Sequence, residues 1–161
     1  MAELEIRAAT EDDVPLILSL IEDLAEYERL SHEVVATEET LRDSLFGEQR
    51  VVETLLAYLG DDLAGFAPFF HNFSTFLGRS GIYLEDLYVR PEFRGAGVGR
   101  ALLVHLARLA RERGCGRLEW SVLDWNESAI GFSEGIGAAP VSGWTIYRVT
   151  GEALEELADE G

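Results

Sequence analysis

The chain contains no lysine: all 13 of its basic residues are arginine, set against 30 acidic residues, for a formal net charge of −17 in 161 residues. No internal lysine can therefore be acetylated, and every motif that requires one is excluded. A surface this negative repels nucleic acid and attracts cations. Two readings of it stand side by side: a general acidic bias that favours solubility, and a field that draws in a small cationic substrate. Cys115 is the only cysteine, which excludes an intrachain disulfide and is compatible with a reducing compartment. It follows a helical stretch and opens a strand, so it reads as a small core residue. The spacing of His32, His71 and His105 offers it no partner for nucleophilic chemistry and shows no metal-ligand pattern. No metal is expected. Apolar runs fall short of the roughly 20 residues that span a bilayer. Residues 1–7 lack the basic-then-apolar order of a signal peptide, so the cytoplasm is the expected setting.

What is present suits one globular domain over 1–161, with 47% apolar and 27% charged residues. Residues 3–8 read as a first strand. Thr10 and Asp13 form a capping-box pattern ahead of a helix that runs to about Leu30. Its apolar stripe is Val14, Ile17, Leu18, Ile21, Leu24 and Ala25. A shorter helix follows from Thr37 to about Gly47. Residues 51–59 and 63–73 are β-prone runs joined by Gly60-Asp61-Asp62, which predicts an antiparallel hairpin. Residues 72–81 read as a polar loop, and 82–90 as a third long strand stopped by Pro91. A second amphipathic helix spans 97–113, with Val98, Leu102, Leu106 and Leu109 along one side and Gly114 and Gly116 closing it. A strand at 117–123, a short helix at 126–134, a last strand at 144–149 and an acidic helix at 151–159 complete a mixed α/β order.

The segment Arg94-Gly95-Ala96-Gly97-Val98-Gly99 lies between a strong strand and a strong helix. Glycines there let the backbone approach a ligand, and the amides of the helix start then form a pyrophosphate cradle. A dinucleotide-binding G-x-G-x-x-G fails, because Arg100 stands where a small residue is needed and the motif lies past mid-chain. A P-loop fails for want of lysine. The pattern [QR]-x-x-G-x-[GA] matches at Arg94, Gly97 and Gly99.

With that motif stand Ile6-Arg7-Ala8-Ala9-Thr10, Leu24-Ala25-Glu26-Tyr27-Glu28, Tyr83-Leu84-Glu85-Asp86-Leu87-Tyr88-Val89 and Trp125-Asn126-Glu127-Ser128-Ala129-Ile130. Together they make the chain resemble, over essentially its whole length, the diamine acetyltransferase branch of the GNAT superfamily, whose members use polyamines or lysine-like amines such as thialysine. The resemblance implies an α/β GNAT fold: a mixed central sheet, mostly antiparallel in its N-terminal half, flanked by helices, with acetyl-CoA bound at a splayed central strand. It implies an acetyl-CoA-dependent N-acetyltransferase acting on a primary amine of a small cation by direct attack on the thioester, and a homodimer. Residues 94–100, that is Arg94, Gly95, Ala96, Gly97, Val98, Gly99 and Arg100, would hold the coenzyme, with Leu87, Tyr88 and Val89 pairing its pantetheine arm and Asn126 touching it. Asn126 is equally placed to cap the helix that follows it.

By the same resemblance Glu85 occupies the position of the proton acceptor that an alkylammonium, with its pKa near ~10.4, requires. Asp86 matches a position that holds the amine. Side-chain alternation sends it to the face opposite Glu85 unless a bulge intervenes. Tyr27 and Glu28 fall where the family's substrate pocket takes aromatic and acidic contacts. One residue departs from the pattern. The family places a tyrosine after the phenylalanine of the Asn-to-Phe segment, as acid for the leaving thiolate, and here Phe132 is followed by Ser133. A hydroxyl is a far weaker acid than a phenol. That departure keeps open a coenzyme-binding sensor with little turnover, and the acidic surface, which does not disfavour basic peptide tails, keeps open an acetyltransferase of protein or peptide amines. Residues 144–149, with Trp144, Ile146 and Tyr147, make an apolar strand that pairs within the chain or across a dimer.

Overall fold

The computed structural model of the chain describes residues 3–161, whose contacts divide them into two compact units meeting at Leu123 and Asp124. The first unit opens with β1 (Leu4–Ala8). The Asp13 carboxylate accepts from both the backbone N–H (2.8 Å) and the hydroxyl (3.1 Å) of Thr10, so the expected capping box forms, around a 3-10 turn. Then come α1 (Val14–Tyr27), α2 (Glu38–Phe46) and the strands β2 (Glu53–Leu59), β3 (Asp62–Ser74), β4 (Arg79–Leu84) and β5 (Tyr88–Val89). After them α3 (Val98–Glu112) crosses over to β6 (Leu118–Trp120). The second unit carries α4 (Glu127–Gly135) and α5 (Gly151–Ala158). Among the described residues no helix is long and apolar enough to cross a membrane.

The sheet runs β1-β2-β3-β4-β6, with β5 paired to β3. All pairings are antiparallel except β4 with β6, which the α3 crossover makes parallel. Alternation gives the sheet two faces. Leu56, Phe66 and Tyr88 lie side by side and pack with Ile17, Leu20 and Leu24 of α1 and Leu45 of α2. Leu55, Ala67, Phe69, Ile82 and Leu84 point the other way, toward the side of α3, whose Leu102 and Leu106 are wholly buried. Arg113, at the end of α3, closes that side with a paired contact to Glu53 (2.7 and 2.9 Å) and lies over the Phe69 ring.

Five expectations change. Residues 82–90 are not one strand: β4 stops at Leu84 and β5 resumes at Tyr88. Phe69 pairs with Leu84 and Phe66 with Tyr88, so Ala67 and Pro68 face the three residues Glu85, Asp86 and Leu87. The extra residue is a bulge. Pro68 explains its position. Its carbonyl accepts from the Glu85 N–H at 2.9 Å, so this residue addresses β4 with both its backbone groups, yet proline has no N–H to return to the Glu85 carbonyl. The ladder loses a rung there, and β5 stays with β3 while β6 stays with β4. Gly65 holds β5 in place, because a Cβ on it would lie 2.5 Å from the Tyr88 carbonyl oxygen.

Residues 72–81 are not a loop. They are the solvated end of the β3–β4 hairpin, paired out to Ser74 and Arg79, and exposure rather than loop structure accounts for their polarity. The strand expected at 117–123 shortens to Leu118–Trp120. Residues 144–149 join no sheet among the described residues, and Trp144, Ile146 and Tyr147 are 82%, 78% and 92% exposed. A β-prone run becomes a strand only where an edge accepts it. Cys115 is half-buried rather than in the core.

Candidate active site

The ladder break and the end of α1 supply the chemistry. Helix α1 ends at Tyr27, with Glu28 as its C-cap. The next residue, Arg29, sits at φ 63°, and the Leu30 N–H reaches back to the Ala25 carbonyl at 2.7 Å. This is a Schellman-type stop with arginine where glycine is usual. It leaves Glu28 half-buried, with its carboxyl pKa raised by burial. Asp86, half-buried in the bulge, is pushed up to about 7, first by burial and then by repulsion from Glu85 and Glu28. The three carboxyl groups predicted on two distant segments thus share one electrostatic neighbourhood. Glu85 is exposed and lies outside the strand, not in mid-strand as the apolar run suggested. Three acids so gathered, one of them with its pKa pushed up to about 7, have the chemistry to attract a cation and to exchange a proton near neutrality.

Beside it stands the cradle. Gly95 and Gly97 both adopt φ 82°, a conformation that side chains rarely reach, and Gly97 caps α3. A Cβ at either would meet nothing within 4 Å, so the backbone angle is what demands glycine and the space over the amides is open. That open, amide-lined start of a 15-residue helix fits a phosphate-bearing coenzyme. Val98 is buried and anchors the turn, while Ala96, Gly99 and Arg100 complete the loop and the first helical residues.

The Arg90 N–H donates to Ala64 at 2.8 Å, so by alternation Tyr88 and Arg90 address β3, and the backbone groups of Leu87 and Val89 face the unpaired side. These are the two residues expected to pair with an added extended chain. The Tyr88 side chain belongs to the core on the α1 face. Arg94 holds a position the sequence does not disclose. Its Nε donates to the Val89 carbonyl at 3.0 Å, and its guanidinium lies 4.8 Å from the Tyr27 ring centre and 5.8 Å from that of Tyr88.

In the second unit Asn126 is buried, and its side-chain oxygen accepts from the Ala129 N–H at 3.2 Å. Capping is therefore a role it does perform. Ser133 is buried in α4. Sequence reasoning missed an open cleft of about 800 Å³ lined by Asp23, Glu26, Tyr27, Tyr88, Arg90 and Glu92, among others. Asp23, Glu26 and Tyr27 recur at helical spacing, the one signal that was legible. Glu28, Glu85 and Asp86 do not line it. Among the described residues no cluster of His, Cys, Asp and Glu is arranged to hold a metal ion.

The chain is similar to known proteins along most of its length. Residues 17–137 match the profile of the Acetyltransferase (GNAT) family. The thialysine N-epsilon-acetyltransferase of Bos taurus is 41% identical across 98% of this chain and 99% of its own length. The L-ornithine N5-acetyltransferase NATA1 of Arabidopsis thaliana is 36% identical across 94% and 86%. Among solved structures, an integron cassette protein from the mobile metagenome of V. cholerae superposes with a TM-score of 0.81 at 30% identity, covering 98% of both chains. A break in the central sheet beside a glycine-built helix start, in a chain related along its whole length to acetyltransferases of amines, makes this protein an N-acetyltransferase of the GNAT family.

Proposed function

We propose that the chain moves an acetyl group from acetyl-CoA to the side-chain amine of a lysine-like amino acid or to a primary amine of a small polyamine. The observation that carries this reading is the gathering of Glu28, Glu85 and Asp86 at the ladder break next to the glycine cradle. Relatives named for thialysine and ornithine support the lysine-like choice. A relative named as a spermidine/spermine acetyltransferase-like protein, 30% identical over 97% of this chain, supports the polyamine one.

The residues divide the work as follows. Asp86 and Glu28 hold the ammonium, and Tyr27 offers it an aromatic wall. Glu85, exposed at the bulge, takes the proton the ammonium must lose, directly or through water. The amides of 95–99 and the first turn of α3 receive the pyrophosphate, and the backbone edge at Leu87 and Val89, where Arg94 already takes the Val89 carbonyl, orders the pantetheine arm as an added strand through its remaining groups. On this reading an N–H of that edge also stabilises the developing oxyanion. With acetyl-CoA bound, the neutral amine would attack the thioester carbon; as the C–N bond forms and the C–S bond breaks, the nitrogen would give up its second proton to solvent and the thiolate would take one up to leave as the thiol. Ser133 does not have a phenol's acidity, so on this reading the thiolate takes its proton from water. The same reading makes the protein a cytoplasmic homodimer, a view supported by the exposed apolar run at Trp144, Ile146 and Tyr147.

The test is thiol release from acetyl-CoA against a panel of primary amines. Glu85→Gln should lower kcat by roughly 10²–10⁴, and Ser133→Tyr should raise it. Coenzyme binding without release by any amine, in wild type and Ser133→Tyr alike, would overturn the enzyme reading in favour of a coenzyme-binding sensor.

A further inference from the structure

Arg94 is the first residue of the cradle motif, yet its side chain turns away from the open side of the loop toward the strand and helix beneath. Its Nε takes the Val89 carbonyl, on the edge where the pantetheine arm is to pair, at 3.0 Å. Its guanidinium lies over two rings, Tyr88 from the core face and Tyr27 from the last turn of α1. Tyr27 is 39% exposed and directly precedes Glu28, one of the three acids at the acceptor end. Beyond Glu28 the chain turns through the left-handed Arg29, a conformation that costs a non-glycine residue energy and persists where its surroundings hold it. One side chain therefore touches the coenzyme edge and the acceptor helix at once.

We propose that Arg94 couples the two half-sites through Tyr27, so that coenzyme and amine bind cooperatively and Tyr27 is a positioning residue for the coenzyme cradle as well as a wall of the amine pocket. The inference rests on the function proposed above. Ordering of the 94–99 loop by coenzyme fixes the guanidinium over the Tyr27 ring. The fixed ring holds the α1 terminus, and with it Glu28, in the arrangement that receives the cation. By linkage the amine must strengthen coenzyme binding by the same factor.

The experiment is calorimetric titration of coenzyme A into the full chain, with and without saturating amine, for wild type, Tyr27→Phe and Tyr27→Leu. An isolated contact of this kind is worth roughly a two- to fivefold change in affinity. Tyr27→Leu should weaken coenzyme A by about that factor with no amine present, and should abolish the enhancement that amine brings. Tyr27→Phe, which keeps the ring and loses only the hydroxyl, should behave as wild type in both respects. Thermal melts of the three chains show whether each is folded. A Tyr27→Leu chain that is folded, binds coenzyme A as wild type does and suffers only in amine KM overturns the inference and leaves the function standing. So does a Tyr27→Phe chain as impaired as Tyr27→Leu, since the hydroxyl and not the ring would then be at work. A wild-type chain that binds no coenzyme A overturns both.

Discussion

Asp86 is the residue whose environment says most. A carboxyl held near 7 is half-ionised where its exposed counterpart is fully charged, and only the ionised form attracts an ammonium. The kcat/KM for a cationic amine is therefore expected to climb as pH rises through about 7 and then level off. Asp86→Asn should lower kcat/KM and remove that inflection, which a pH–rate profile of the two chains will show. The same residue leaves a mark on stability. Between 3.8 and about 7 the folded chain keeps a proton on Asp86 that the unfolded chain gives up. Folded protein then binds more protons than unfolded, so this residue's contribution falls as pH rises across the window and is constant above it. Asp86→Asn should accordingly gain melting temperature relative to wild type from pH 4 to 7, by several degrees at the upper end. A difference that did not vary with pH would remove desolvation of Asp86 from the account. This cost is retained at the site while Asp13 and Glu53 move the other way, each held below the usual carboxylate range by bonds to Thr10 and Arg7 or to Arg113. The half-protonated acid lies where a substrate cation would be held, and the fully charged ones lie where the fold is tied together.

At the level of elements, α1 shows what hydrophobic periodicity discloses and what it hides. The stripe through Val14, Ile17 and Leu24 is buried as its spacing requires, and the capping box at Thr10 and Asp13 forms. Its termination was not legible, because nothing in Glu28-Arg29-Leu30 is a glycine or a proline, the usual signs of a stop. Arg29→Gly relieves the left-handed strain at the price of a looser unfolded chain. Melting temperature is expected to hold or rise slightly, within about 1 kcal/mol of stability. A fall well beyond that would mean that the Arg29 side chain itself secures the turn. The strand at 82–90 misled for a related reason. A run such as Ile82-Tyr83-Leu84 followed by Leu87-Tyr88-Val89 carries β-propensity on both sides of Glu85 and Asp86. What divides it lies on another strand, in Pro68, which no reading of residues 82–90 alone contains. Residues 94–99 were legible because glycine spacing at a helix start is a local property. The contact of Arg94 with Tyr27 was not, since those residues lie far apart in sequence and are joined only by the fold. The missing strand at 144–149 belongs with Pro68: propensity names the candidates, and a partner edge decides.

On the scale of the whole molecule, the excess of acid is a field rather than a contact. With a net charge of −17, attraction of a cation begins beyond the site and is screened as salt shortens its reach to about 8 Å at 0.15 M. The kcat/KM should therefore fall with ionic strength, and more steeply for a polyamine carrying several charges than for a lysine-like amino acid whose carboxylate offsets one of its ammonium groups. Rates measured across a salt series for both substrates will decide this. Equal slopes would confine the attraction to Glu28, Glu85 and Asp86. The rung that Pro68 leaves unmade has a consequence of a different sort. Exposed sheet rims invite any extended chain to add itself, and proteins defend them for that reason. This vacancy lies inside the sheet, between β5 and the line of β4 and β6. A polypeptide carries a side chain at every residue, alternately to the two faces, whereas an unbranched arm bearing a few amide groups has none to accommodate. One buried proline thus leaves unpaired backbone within the sheet rather than along its rim, where an extended amide-bearing arm finds partners.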